Sequence, residues 1–411
     1  MIAVLVVIVL GMFLLRATAS WLNWRNLIPS LPEEFTGFID PMDYLRSQDY
    51  TRAKILAGMI EESFSLLVFL GFWLAGGFAW LYSWSQSRGL AAVPTGVLVI
   101  GLLYLGKWLL DLPFEIHRTF GTEARFGFNR TSPRTFVLDQ IKGMLFAAGL
   151  GLPVLAGLLA IFARIADAWL WGWLGISAIA LLLSFLAPSL ILPMFNKFEP
   201  MPAGPLRAAI EELANHCGFP LGGLFVMDGS KRSTKANAFF TGFGKNRRIA
   251  MFDTLINAHP IDELVAVLAH EIGHFKCRHI WKHMALGFLA NGLLFFLLGM
   301  ALHAPALYDA FGIHVDGDSL PLHFGLVFFF VLYAPISQLL AIIRNAISRK
   351  HEYEADAYAA KVTGSPVPLA TALRRLSADS LSNLTPHPLT VWLDHTHPPV
   401  TARLRALAKS V

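Results

Sequence analysis

The chain is 411 residues long, with 55% of them hydrophobic and only 15% charged. Soluble domains carry roughly a quarter charged residues, so this composition excludes an ordinary soluble protein and points to a membrane one. The net charge of +5 is spread over several loops beside apolar segments, which argues against a nucleic-acid partner.

Seven stretches are apolar and long enough to cross a bilayer as helices, which takes about 20 residues each. They are 2–20, 58–84, 94–112, 143–164, 169–193, 284–302 and 324–343. Residues 2–15 followed by Ala17-Thr18-Ala19 resemble a signal peptide, but no Lys or Arg precedes the apolar run. A retained anchor is therefore expected.

Seven crossings place residues 21–57, 112–142, 196–283 and 344–411 on one side, together with nearly all of the 33 Lys and Arg. The 303–323 loop on the other side has none and carries Asp309, Asp316 and Asp318. The positive-inside rule makes the first side cytoplasmic, with the N-terminus outside and the C-terminus inside. The two cysteines, Cys217 and Cys277, both fall in the cytoplasmic set, so no disulfide is expected.

Residues 196–283 have mixed character. Leu206 to His216 reads as an amphipathic helix closed by Gly218. Leu224-Phe-Val-Met-Asp228 reads as a strand, and Asn237–Thr241 and Arg248–Phe252 read as two more. Gly242, Gly244 and Asn246 between them suggest a hairpin turn.

A helix then runs from Ile261 into His270-Glu271-Ile272-Gly273-His274. Positions i and i+4 share a helix face, so two imidazoles can grip one zinc ion with Glu271 beside it to take a proton from water. A surface helix with two histidines is the ordinary alternative. Cys277 is near enough to be suspected as a ligand, but a mixed His/His/Cys site is unusual for hydrolysis, and a packing role is expected.

A catalytic zinc normally has three protein ligands. Beyond the last span, Glu352 and Asp356 are i, i+4 and share a helix face, while Glu354 points elsewhere. Glu352 has the longer arm and suits direct coordination. Asp356 is placed to hold a ligand histidine by its second nitrogen. His351 is a weaker candidate on another face, and a charged helix at the membrane surface is the plain alternative. Near the C-terminus, His397 and Arg403 flank two prolines and offer donors for an oxyanion or a substrate backbone. A His-Pro turn with a solvated arginine is the competing reading.

Together these residues resemble the type I CAAX prenyl endopeptidases, integral-membrane zinc proteases. The resemblance is nearly full-length. It runs through Leu112-Pro113, Phe126-Gly-Phe-Asn129, Phe195-Asn-Lys-Phe198, Asp228-Gly-Ser-Lys-Arg-Ser233, Asn237-Ala-Phe-Phe-Thr-Gly242 and Phe252-Asp-Thr-Leu-Ile256. It continues in His270–His274, Ser348–Asp356 and His397-Pro-Pro399.

The resemblance implies a mainly α fold, with seven transmembrane helices enclosing a chamber and a zincin-like α/β catalytic domain carrying a small β-sheet. The membrane domain would span 1–195 and the metallopeptidase domain 196–411, the latter including the last two spans. It implies one Zn2+ held by His270, His274 and Glu352, with Glu271 as general base. Asn237, Ala238, Phe239, Phe240 and Thr241 would line the substrate path, and His397 and Arg403 would contact the peptide. Glu62 and Lys107 within spans fit a water-filled interior. Lys235-Ala236 departs from the family's usual histidine and small polar residue, which bears on substrate choice.

The expected partners are a peptide or protein substrate, prenylated or membrane-associated, and the lipid bilayer. Ala408-Lys-Ser-Val411 is not an ER-retrieval signal; with short loops, this leads to the expectation of a bacterial inner-membrane protein that processes membrane proteins or controls their quality. Two other readings compete. An intramembrane HExxH protease would bury the motif in a span, whereas Lys276, Arg278 and Lys282 follow it here. A metal or peptide transporter would have no need of Glu271.

Overall fold

The computed structural model describes residues 1–241, 248–314 and 320–409. Among the described residues, seven helices are long and apolar enough to cross a membrane. The first five are α1 (Ile2–Arg25), α2 (Pro41–Leu74), α3 (Ala92–Glu123), α4 (Pro133–Arg164) and α5 (Ala168–Phe195). A four-stranded sheet follows, built from β1 (Phe198–Pro200), β2 (Gly223–Met227), β3 (Ala238–Thr241) and β4 (Arg248–Phe252), with α6 (Pro205–His216) between β1 and β2. Further helices are α7 (Ile261–Lys276), α8 (His279–Leu302), α9 (Leu322–Thr363), α10 (Val367–Asp379), α11 (Pro388–Asp394) and α12 (Val400–Ala408), with a short helix, Asp253–Ala258, between β4 and α7.

The second span differs from its expected 58–84. The helix begins at Pro41, with Asp40 capping Met42 N, and stops at Leu74. Gly76 then takes the left-handed conformation (φ +80°), and Gly77–Gln86 is a separate helix. An apolar run cannot reveal such a break, because hydropathy is blind to a glycine's freedom at positive φ.

The last span is longer than its expected 324–343. α9 runs 42 residues without interruption, to Gly364 at φ +73°. At 1.5 Å per residue it is about 63 Å long, roughly twice the hydrocarbon thickness of a bilayer. One continuous helix, with Pro335 inside it, therefore joins the far end of the membrane region to Glu352 and Asp356. At that far end Phe324 and Phe328 pack with Trp73, Phe78 and Phe311, and the Phe311 and Phe328 rings stack at 3.8 Å. Pro305–Asp309 in the 303–323 loop is helical. Asp316 and Asp318, like Gly242, Gly244 and Asn246, lie outside the described residues.

The sheet order is β1-β2-β4-β3. β2 and β4 run parallel, Leu224 opposite Ile249, and β3 pairs antiparallel with β4, Phe239 opposite Ala250. β3 is therefore an edge strand. Under the sheet, Ile210, Leu213, Ile249, Met251, Leu264, Leu268 and Ile272 form one core with Ala359, Leu369 and Leu407. α7 starts after Pro260 with Asp262 and Glu263 in its first turn, where carboxylates suit the helix dipole.

The N-terminal residues are tied to this C-terminal part. Asn26 Nδ2 donates to Thr385 O at 2.8 Å, Thr385 Oγ1 donates to Asn26 O at 3.1 Å, and Arg374 Nε donates to Glu34 O at 2.7 Å. Cys217 and Cys277 are both free thiols, with Cys217 buried in the core under the sheet.

Candidate metal centre

α7 presents His270 and His274 on one face, and α9 presents Glu352 opposite them. His270 Nε2 lies 3.2 Å from His274 Nε2. Glu352 Oε1 is 3.2 Å from His274 Nε2, and its Oε2 is 3.5 Å from His270 Nε2. One donor atom from each of the three residues falls within a 4.8 Å group. Glu352 is 3% exposed, and among the described residues its Oε2 has no hydrogen-bond partner, only that contact with His270 and an ionic contact from Arg403.

The second nitrogen of His270 is also committed. Its Nδ1 lies 2.8 Å from Asp356 Oδ1, an acceptor, so the proton of the neutral ring belongs on Nδ1. Nε2 then carries a lone pair aimed at the Nε2 of His274. Two imidazole nitrogens at this distance either share one proton in a hydrogen bond or both turn their lone pairs to a metal ion, with the Glu352 carboxylate beside them. Burial opposes a charged His270, but hydrogen bonds to Asp356 and Glu352 outweigh it and push its pKa up to about 9. The donor set, two imidazoles and a carboxylate, is the chemistry of a catalytic zinc site with an open position.

Arg403, 8% exposed, closes the site from α12. It binds Asp356 in a fork, Nε to Oδ2 at 2.8 Å and Nη2 to Oδ1 at 2.6 Å, and its Nη1 lies 3.3 Å from Glu352 Oε2. Burial disfavours its charge, but Asp356, Glu352 and Glu271 together hold the guanidinium above its ordinary pKa. It is not a solvated arginine. His397 stands at the mouth: its Nε2 is 3.4 Å from Glu352 Oε1, and its side chain is 63% exposed. Glu271 is half-buried.

The two weaker ligand candidates, His351 and Cys277, lie elsewhere, as does Glu354, which is expected to point away. His351 stacks on His279 at 3.9 Å and has Nδ1 3.1 Å from His283 Nε2. Glu354 Oε2 is 2.9 Å from His279 Nε2. Cys277 groups with these two rather than with His270. His279 itself escaped the sequence reading, although it follows His274 by five residues and pairs with it, Nδ1 to Nδ1 at 3.0 Å.

The edge strand is positioned by the membrane helices. Lys235 Nζ donates to Tyr50 OH and to Glu123 Oε2, both at 2.7 Å, and sits 4.4 Å from the centre of the Phe128 ring. Its side chain is thus spent on α2, α3 and the Phe128 loop. Arg232 forks onto Asp139 at 2.8 and 3.0 Å, and Asn129 pairs with Ser233 in an isolated bridge. Asn237 is exposed, and its carbonyl accepts from Phe252 N at 3.0 Å.

Known proteins resemble this chain over nearly its whole length. Residues 23–197 match the CAAX prenyl protease N-terminal family of five membrane helices, and residues 200–411 match peptidase family M48. The chain belongs to the M48 CAAX prenyl proteases. It is 34% identical over 407 residues to the CAAX prenyl protease 1 homolog of Arabidopsis thaliana, covering 94% of this chain and 93% of that protein. To CAAX prenyl protease 1 of Saccharomyces cerevisiae it is also 34% identical, over 412 residues, covering 94% and 89%. The crystal structure of S. mikatae Ste24p superposes with a TM-score of 0.94 at 32% identity, covering 99% of this chain and 98% of that one. The chain is thus a multi-pass integral-membrane metalloendopeptidase of the CAAX prenyl protease type I-like class, acting on a peptide or protein in a membrane setting.

Proposed function

We propose that His270, His274 and Glu352 hold one zinc ion per chain and that Glu271 is the general base of peptide hydrolysis. The observation that carries this reading is the convergence of His270 Nε2, His274 Nε2 and the buried Glu352 carboxylate from two helices. When bound there, zinc would supply Lewis-acid activation of a water, whose pKa such an ion brings to about 7. Glu271 accepts the water's proton and returns it to the leaving amine. Asp356 fixes the tautomer of His270. His397, exposed at the mouth, donates to the oxyanion. Arg403 has two nitrogens bound to Asp356 and its Nη1 beside Glu352, so its main role is to hold these two carboxylates.

The substrate binds extended along β3, pairing its backbone with the free edge formed by Asn237, Ala238, Phe239, Phe240 and Thr241. Residues 1–195 form the wall of a membrane chamber, and residues 196–411 the peptidase. The site sits at the end of the molecule that carries Lys276, Lys282, Arg349 and Lys350, which the positive-inside rule assigns to the cytoplasm. The short loops on the opposite side suit a bacterial inner membrane.

A prenylated C-terminal peptide is the substrate class we put first, since the relatives carry that name. Cleavage of a farnesylated CAAX-type peptide by the purified protein, beside its unprenylated twin, tests this. Faster cleavage of the prenylated peptide supports it; equal rates would make the chain a general membrane endopeptidase.

A further inference from the structure

His270 is held by Asp356, but His274 has a different partner. Its Nε2 faces His270 and Glu352, and its Nδ1 lies 3.0 Å from Nδ1 of His279. His279 is the first residue of α8, and Arg278 before it takes the left-handed conformation (φ +57°), which is uncommon for a non-glycine residue. That turn carries the chain from α7 back so that the His279 ring meets His274. The ring is 1% exposed. On its other side Nε2 lies 2.9 Å from Glu354 Oε2, and His351 lies flat against its face, 3.9 Å between centroids and 8° between planes.

The protons of this chain of groups can be assigned. A neutral imidazole carries one N–H. If His274 gives the Nε2 lone pair to a metal ion, its proton is on Nδ1, which donates to His279. Nδ1 of His279 is then the acceptor, so its own proton is on Nε2, which donates to the Glu354 carboxylate. Each group has one role and none conflicts with its neighbour.

We propose that His279, anchored by Glu354, is a positioning residue that fixes the tautomer and ring plane of His274. The inference rests on the zinc reading of His270, His274 and Glu352. It gives α9 a grip on both histidines of the motif, Asp356 directly on His270 and Glu354 through His279 on His274.

The same atoms invite another reading. Cys277, His279 and Glu354 offer donor atoms within 4.8 Å of one another, which suits a second metal ion. A metal on His279 Nε2 would move that ring's proton to Nδ1, where it would face the N–H of His274 at 3.0 Å. The Lys350 ammonium lies 3.8 Å from Glu354 Oε1, which further disfavours a cation there. The hydrogen-bonded chain satisfies every group, and the second metal does not.

Zinc affinity, measured by competition with a chelator on the full-length protein in detergent, tests the proposal alongside melting temperature. His279→Leu should weaken zinc binding by about 10- to 100-fold, the usual effect of removing an outer partner of a ligand. His279→Asn keeps an oxygen near the accepting position and should recover much of that loss. Glu354→Leu should weaken binding in the same direction, and Glu354→Gln, which still accepts, should weaken it less. His274→Ala should bind zinc far more weakly than any of them. Undiminished affinity in His279→Leu would overturn the positioning role while leaving the zinc reading intact. Equal losses in His279→Asn and His279→Leu would also overturn it, as a purely structural role predicts. Two zinc ions per wild-type chain, with one lost in Cys277→Ser, would replace it with the second metal. Full zinc affinity in His274→Ala would overturn the zinc reading and this inference together.

Discussion

A Cβ on Gly273 would lie 3.1 Å from both the Cα and the carbonyl oxygen of Ala355. The two helices that carry the metal-ligand candidates therefore touch backbone to backbone between their functional residues, with His274 next to Gly273 and Glu352 and Asp356 on either side of Ala355. Gly273→Ala decides whether that contact sets the site's dimensions. In an open helix the change would stabilise by about 1 kcal/mol. Overpacking costs about 1–3 kcal/mol. The expected result is a lower melting temperature and weaker zinc binding. A more stable variant with unchanged affinity would show that α7 and α9 have room to spare.

Glu271→Gln should abolish cleavage and leave zinc bound. The amide cannot accept water's proton, and the metal-ligand candidates are untouched. Zinc content and turnover on one preparation check this; near-normal turnover by a metal-loaded variant would exclude the mechanism.

Glu352→Ala should lose both zinc and activity, because it removes the only carboxylate in the group of three donors around His270. Glu354→Ala should still fill with zinc when the metal is in excess. Loss of metal by neither variant would move the third ligand to Asp356.

His397 and Arg403 should behave differently from each other. His397→Ala keeps the three donors and should lose on the order of 10²–10³ in turnover, as when one oxyanion donor is removed. Arg403→Ala strips Asp356 and Glu352 of a buried counter-charge, and breaking such a pair costs about 3–5 kcal/mol. Its melting temperature and zinc affinity should fall along with its rate. An unchanged rate in His397→Ala would leave the β3 backbone as the main substrate contact.

Metal binding should depend on pH with a definite sign. In metal-free protein His270 titrates at about 9, so at neutral pH it holds a proton that zinc must displace. Affinity should rise by about tenfold per pH unit as pH increases toward that value, for each proton released. Calorimetry in buffers of different ionisation heats counts the protons. No release at pH 7 would show that His270 is already neutral there.

Much of this was legible in the sequence because it is local. His270 and His274, and Glu352 and Asp356, are i, i+4 pairs, and helical spacing alone puts each pair on one face. The presence of seven spans follows from hydropathy, although the bounds of the second and the last do not. What escaped the sequence depends on distance along the chain. His279 reaches Glu354 across 75 positions, and Lys235 reaches Glu123 across 112. No periodicity records such partners, and the pairing of Lys235 with Glu123 had no signal in the sequence. β1, three residues long, gave no alternation to detect, and the break at Gly76 lies inside an unbroken apolar run.

The central claim is that one zinc ion sits between His270, His274 and Glu352. Anomalous X-ray diffraction from crystals of the zinc-loaded protein, collected on both sides of the zinc absorption edge, locates the ion directly. The account predicts a single anomalous peak per chain within coordination distance of both Nε2 atoms and the Glu352 carboxylate. A peak between Cys277, His279 and Glu354 in its place, or none at the His270 site of a fully active protein, would contradict it.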